Sequence, residues 1–135
     1  MKKRFKLLAV LMMMTLGFTL TGCSTYTSHG KGTMMIEHND SDDAFYTFTT
    51  FDGTKVLKIK ASSGDKMKYT GALDKGNVTV YYDNGGGKKE LFSVGAGESV
   101  ESELEGLEKG DVNLIIETDG EASEGKFTFE IMAVE

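Results

Sequence analysis

From residue 33 onward, apolar and polar residues alternate along the chain with a period of two. Phe127, Phe129, Ile131 and Ala133 alternate with Thr128, Glu130, Met132 and Val134. Val112, Leu114 and Ile116 alternate with Asn113, Ile115 and Glu117, and Leu57, Ile59 and Ala61 with Lys58 and Lys60. Val78, Val80 and Tyr82 alternate with Thr79, Tyr81 and Asp83. Successive side chains of a strand point to opposite faces, so each run predicts a half-buried strand. Ala44 to Phe51 is rich in Phe, Tyr and Thr, which suit a pleated surface. Shorter strand candidates are Thr33–Glu37, Lys66–Thr70, Glu90–Val94 and Ser99–Leu104. No long helical period is present. Glu98–Lys109 has room for one short helical turn, limited by Gly106 and Gly110.

Turn chemistry separates these runs at Asp52-Gly53, Ser62–Asp65, Asp74–Asn77, Asp83–Gly87, Lys109–Asp111 and Asp119-Gly120. Glycine supplies positive φ, and Asp or Asn bonds its own backbone. About nine short strands at this spacing predict an all-β fold, an antiparallel β-sandwich of jelly-roll type. The chain has no proline, so charge must protect its sheet edges; Lys55, Lys58, Lys60, Lys66 and Lys68 suit that task.

The N-terminus follows a different pattern. Lys2, Lys3, Arg4 and Lys6 precede an apolar run of 14 residues, Leu7 to Leu20. A permanent span needs about 20 apolar residues, so the run reads as the core of a cleaved signal helix. It ends in Leu20-Thr21-Gly22-Cys23, which holds the only cysteine. These four residues resemble the lipobox of bacterial lipoproteins. The resemblance implies cleavage after Gly22, a diacylglyceryl group on Cys23, and membrane association through that lipid. One acyl chain binds marginally and two bind stably. The expected organisation is a signal peptide over 1–22, a flexible tether over 23–32 and a sandwich domain over 33–135. As a random coil, the nine residues Ser24 to Gly32 would span roughly 15–18 Å. The expected address is the extracytoplasmic face of the cell membrane.

Charge narrows the partners. Loss of the four basic leader residues moves the net charge from -6 to -10. From Cys23 to Gly97 nine acidic residues balance nine basic ones, whereas Glu98 to Glu135 holds twelve acidic residues against Lys109 and Lys126. Nucleic acid is excluded as a partner, since phosphate binding needs a basic face. The acidic end reads as a solvated surface or as a patch for a cationic partner.

No residue set demands a particular chemistry, and neither a cofactor nor a metal is expected. His29 and His38 are the only histidines, and both are expected in exposed segments. A zinc site would need both of them plus carboxylates. His38–Asp43 is rich in oxygen ligands, but an EF-hand counted from Asp40 would need Gly and Glu where Phe45 and Phe51 stand. Calcium binding of another type and a plain polar turn both remain open there. Asp83–Lys89 carries glycines and lysines, but Glu90 and a strand follow it, so it reads as a hairpin and not a phosphate loop. A glycosidase needs a carboxyl pair in a cleft that raises one pKa; Glu101 and Glu103 are the candidates in the acidic stretch. Tyr81, Tyr82 and Phe92 are the candidate ligand contacts, because an exposed ring on a sandwich can stack on a sugar; alternation would expose only one of the two tyrosines.

Leu104–Ile116 and Gly125–Ile131 resemble the penultimate and closing strands of small β-sandwich domains on lipoproteins of Gram-positive bacteria. Galactose-binding-like and pre-peptidase C-terminal modules share this cadence. The resemblance implies an accessory or binding role and names no ligand. The expected function is a non-enzymatic, lipid-anchored surface domain that binds a protein or glycan. The alternatives are an envelope-maintenance protein without a small ligand and a small hydrolase using acidic residues.

Overall fold

The computed structural model describes residues 26–133. The leader and Cys23 lie outside the described residues. Among the described residues nine strands form: β1 His29–Thr33, β2 Ile36–Asn39, β3 Asp43–Ala61, β4 Lys66–Lys75, β5 Val78–Asp83, β6 Lys89–Val94, β7 Ser99–Leu104, β8 Gly110–Thr118 and β9 Ala122–Met132. All pairings are antiparallel, in the order β6-β5-β8-β3-β9-β4-β7, with β1 and β2 also on β3. The expected all-β sandwich is the observed fold.

The 19-residue strand β3 joins the two layers. Its first part, from Asp43 to Phe51, pairs with β9, which leads on to β4 and β7. Its second part, from Thr54 to Ala61, pairs with β8, which leads on to β5 and β6. Thr54 pairs with His29 on one side and Glu117 on the other, so β1 and β8 occupy opposite edges. Asp52-Gly53 is therefore a bend inside one strand, not the expected turn between two. Gly53 permits the bend at φ +153°; any Cβ there would strike the carbonyl oxygen of His29.

The inward residues of the two layers meet in one core. Tyr46, Phe48, Phe127, Phe129 and Met67 come from one layer, and Leu57, Ile59, Val80, Val112, Leu114 and Ile116 from the other. Glycines make room for rings: a Cβ on Gly71 would enter the Phe92 ring, and one on Gly125 the Phe48 ring.

Two further expectations need correction. Ser99–Leu104 within the acidic stretch is extended, because it pairs with β4; no helical turn forms. The stretch is then pinned by Leu107, which is buried and exchanges backbone hydrogen bonds with Gly64 and Asp65. The expected tether is also shorter than its composition suggests. His29–Gly32 belongs to β1, paired with Phe51–Thr54 of β3. Ahead of it, Ser28 Oγ accepts from Val56 N at 2.8 Å and the Tyr26 hydroxyl donates to Asp83 Oδ2 at 2.7 Å.

Candidate functional site

Residues distant in sequence form a row across the outer face of the β3–β9–β4–β7 layer. Strand register places His38 beside Phe45, Phe45 beside Thr128, Thr128 beside Thr70 and Thr70 beside Glu101. The next row runs Asp43, Glu130, Lys68 and Glu103. Alternation sends these side chains outward while their neighbours Ala44, Tyr46, Phe127, Phe129, Met67 and Tyr69 fill the core. Five strands at about 4.8 Å spacing make the first row about 19 Å long.

Between these rows lies a shallow trough of about 380 Å3, lined by Phe45, Lys68, Thr70, Glu101, Thr128 and Glu130 among others. Phe45 is half-buried, and its ring stacks on His38 with centroids 5.2 Å apart and planes 19° apart. The Thr70 and Thr128 hydroxyls share a 2.5 Å hydrogen bond. The trough thus offers an aromatic ring, two hydroxyls, carboxylates and one ammonium group. That combination suits a neutral polyhydroxylated ligand, which needs an apolar contact and hydrogen bonds of both senses.

The three aromatic residues expected to contact a ligand are not brought together on one exposed face. Phe92 is buried and stacks face to face on Tyr69, with centroids 5.2 Å apart and planes 5° apart. It belongs to the core, because it pairs with Val80 and shares that residue's inward face. Tyr81 faces outward but is half-covered by Lys88, whose ammonium lies 4.3 Å from the ring centroid and 2.6 Å from Glu117 Oε2. Tyr82 packs its inner side on the core and lines a second depression of about 300 Å3 at one end of the sandwich. Leu104, Lys89 and Glu108 complete that depression. Its Asn84 is already committed: the side chain donates to the carbonyls of Glu108 and Asp111 and accepts from Glu108 N.

Glu101 and Glu103, the candidate hydrolase residues, are exposed on β7, an edge strand of this sheet. His38 is not in an exposed loop as expected; it is half-buried on β2, since pairing with Phe45 gives its ring a stacking partner.

Neither a protein-family model nor a curated protein matches the sequence. The chain is similar to several solved structures. One is the carbohydrate-binding module TmCBM61 in complex with β-1,4-galactotriose, at TM-score 0.51 and 15% identity, over 87% of this chain and 94% of that one. The chain shares that module's sandwich fold. Another is a carbohydrate-binding module from Cellvibrio mixtus lichenase 5A in complex with cellotriose, at TM-score 0.42 and 11% identity, over 79% of this chain and 91% of that one. A third is a mutant of a family 29 carbohydrate-binding module, at TM-score 0.41 and 14% identity, over 78% of each chain.

Sequence reasoning missed Phe45 and the trough. Alternation does assign Phe45 to the face opposite Ala44 and Tyr46, but nothing local says which distant strands stand beside it.

Proposed function

We propose that this chain is a non-enzymatic, lipid-anchored extracytoplasmic domain that binds a neutral glycan in the Phe45 trough. The observation that carries the reading is the cross-strand row His38–Phe45–Thr128–Thr70–Glu101. It sets an aromatic ring beside hydroxyl and carboxylate groups on one sheet face. The sandwich fold shared with a galactotriose-binding module supports a glycan as the ligand. The acidic excess disfavours polyanionic glycans by simple repulsion. A hydrolytic role finds less support, because Glu101 and Glu103 lie exposed on a strand and not in a desolvating cleft. The lipobox supports the anchor, and Tyr26, which is bonded to Asp83, follows Cys23 by three positions in the sequence. At most about 3.6 Å per residue, that leash reaches only about 11 Å.

The test is calorimetric titration with a panel of neutral oligosaccharides that includes β-1,4-galactotriose and cellotriose. At least one should bind, and Phe45→Ala should weaken it by at least about tenfold, equivalent to about 1.4 kcal/mol, without a loss of fold. Binding that survives Phe45→Ala but disappears in Tyr82→Ala would move the site to the end depression. Failure of the whole panel would reject the glycan reading. Mass spectrometry of the membrane-extracted protein tests the anchor: an unmodified Cys23 would refute it.

A further inference from the structure

Three metal-ligating side chains converge at the β2–β3 turn, beside the trough. His38 Nε2 lies 3.3 Å from Asp40 Oδ2 and 3.3 Å from Asp43 Oδ1. One ligand atom from each residue lies within 4.8 Å of the other two. Hydrogen bonding between the imidazole and the two carboxylates would account for the contacts, but two further observations favour a metal ion.

The first is charge. Asp43 faces Glu130 across β3 and β9, and like charges directly opposite destabilise a sheet. Lys68 stands on the far side of Glu130, away from Asp43. Asp40 and Asp42 add two more carboxylates to the same turn. The second is preorganisation. The Phe45 ring fixes the His38 ring by stacking. Asp40 N donates to Asp43 O at 2.8 Å, Lys60 N to Ser41 O at 2.6 Å, and Ile131 N to Asp42 O at 2.8 Å. The Asn39 amide grips the Lys58 backbone through both its oxygen and its nitrogen. Ligands held in place before an ion arrives cost little ordering entropy on binding.

We propose that His38, Asp40 and Asp43 bind a divalent transition-metal ion, Zn2+ above all, at the rim of the trough. The donor set selects the metal. Ca2+ takes about six to eight oxygens, and Mg2+ takes oxygens in a strict octahedron. An imidazole nitrogen beside carboxylates suits Zn2+, which binds both at about 2.0–2.2 Å and keeps water in a fourth position. Two carboxylates balance the charge of the ion. Asp43 also lines the trough, so the ion would stand next to a ligand bound there. The site does not depend on glycan binding.

The test is calorimetric titration of the untagged chain carrying Cys23→Ser, which removes the one competing thiol, with ZnCl2, CaCl2 and MgCl2. Zn2+ should bind with 1:1 stoichiometry and more tightly than Ca2+ or Mg2+. His38→Ala and Asp43→Asn should each weaken it by more than about tenfold, since loss of even an outer-shell partner costs about 10–100-fold. His29→Ala should leave binding unchanged. In the unsubstituted imidazoles, Zn2+ should shift the His38 Nε2 nitrogen resonance and not that of His29, a readout that does not depend on a variant folding. The proposal fails if Zn2+ does not bind, if binding survives His38→Ala, if only His29 responds, or if Ca2+ binds more tightly.

Discussion

The Tyr26 hydroxyl donates to Asp83 Oδ2 at 2.7 Å, joining residues 57 apart in sequence. Asp83 Oδ1 in turn accepts from Gly85 N at 2.8 Å and Gly87 N at 3.2 Å, so one carboxylate ties the N-terminal segment to the β5–β6 loop. Ser28 is bonded to β3 and Tyr26 to the end of β5, with β8 between them in the sheet. Residues 26–28, part of the expected flexible tether, therefore run from the end of β5 past β8 to β3 before reaching β1.

Tyr26→Phe should loosen that segment. The lost hydrogen bond is partly exposed, so the expected cost is about 1 kcal/mol or less of unfolding free energy. Amide exchange at residues 26–28 should rise more than exchange in β8, which hydrogen–deuterium exchange read by mass spectrometry checks. Equal protection in both proteins would mean that the bond does not hold the segment.

The same pair gives a pH dependence. Burial, then the hydrogen bond and charge of Asp83, push the Tyr26 hydroxyl up to about 12. Burial, then the charge of Glu37, pushes Tyr46 up to about 12 as well. An unfolded tyrosine ionises near pH 10. Above that value the unfolded chain loses protons that the folded chain keeps, so stability should fall as pH rises from about 10 through about 12. At the acid end, burial raises the Asp83 carboxyl, but hydrogen bonds from Tyr26, Gly85 and Gly87 and the charge of Lys89 outweigh it and leave the group below its ordinary value. Its contribution is present above about pH 4 and is lost as pH falls through the lower folded value. Urea midpoints across both windows test this; Tyr26→Phe should shrink the alkaline loss without abolishing it, because Tyr46 remains.

Gly71 and Gly125 face Phe92 and Phe48 with no space for a methyl group. Both glycines sit in strand interiors, where alanine costs nothing in backbone conformation. Gly71→Ala should nevertheless destabilise by about 1–3 kcal/mol through overpacking. Gly71→Ala combined with Phe92→Leu should recover part of that loss, as a double-mutant cycle on thermal unfolding would show. Additive losses would mean that the ring is not the obstacle.

The strands were legible because burial writes a period of two, and Ser99–Leu104 matches β7 at both ends. The continuity of β3 was not. Asp-Gly is a strong local hairpin signal, yet β1 pairs along one edge at Asp52 and Gly53 while β8 and β9 line the other on either side of them. Tertiary pairing overrode turn chemistry. The site was less legible still. Aromatic content pointed to Tyr81, Tyr82 and Phe92, but the burial of Phe92 depends on the opposing layer, through Tyr69 and Gly71. The trough joins β2, β3, β9, β4 and β7, and only strand order brings those together.

Phe92 and Phe45 should therefore respond in opposite ways. Phe92→Ala removes a buried ring and should cost about 3–5 kcal/mol. Phe45→Ala removes a half-buried ring from the outer face and should cost less than half as much while weakening oligosaccharide binding by at least about tenfold. Thermal melts beside oligosaccharide titrations separate the two effects; a stable Phe92→Ala protein that fails to bind would restore Phe92 as a contact.

The free edge of β3 is guarded in a way that lysine charge alone does not explain. Its outward backbone groups are taken one after another: Val56 N by Ser28 Oγ, Lys58 N and O by the Asn39 side chain, and Lys60 N by Ser41 O. Asn39 stands in for a residue of a tenth strand, offering one acceptor at 3.0 Å and one donor at 2.6 Å. Unpaired strand edges recruit other chains. Asn39→Ala should thus cost only about 1–2 kcal/mol in stability, yet raise concentration-dependent self-association markedly, because Lys58 would expose both a donor and an acceptor. Sedimentation velocity over a concentration series decides the point. A variant that is destabilised yet strictly monomeric would show that the lysines, and not the amide, keep the edge closed.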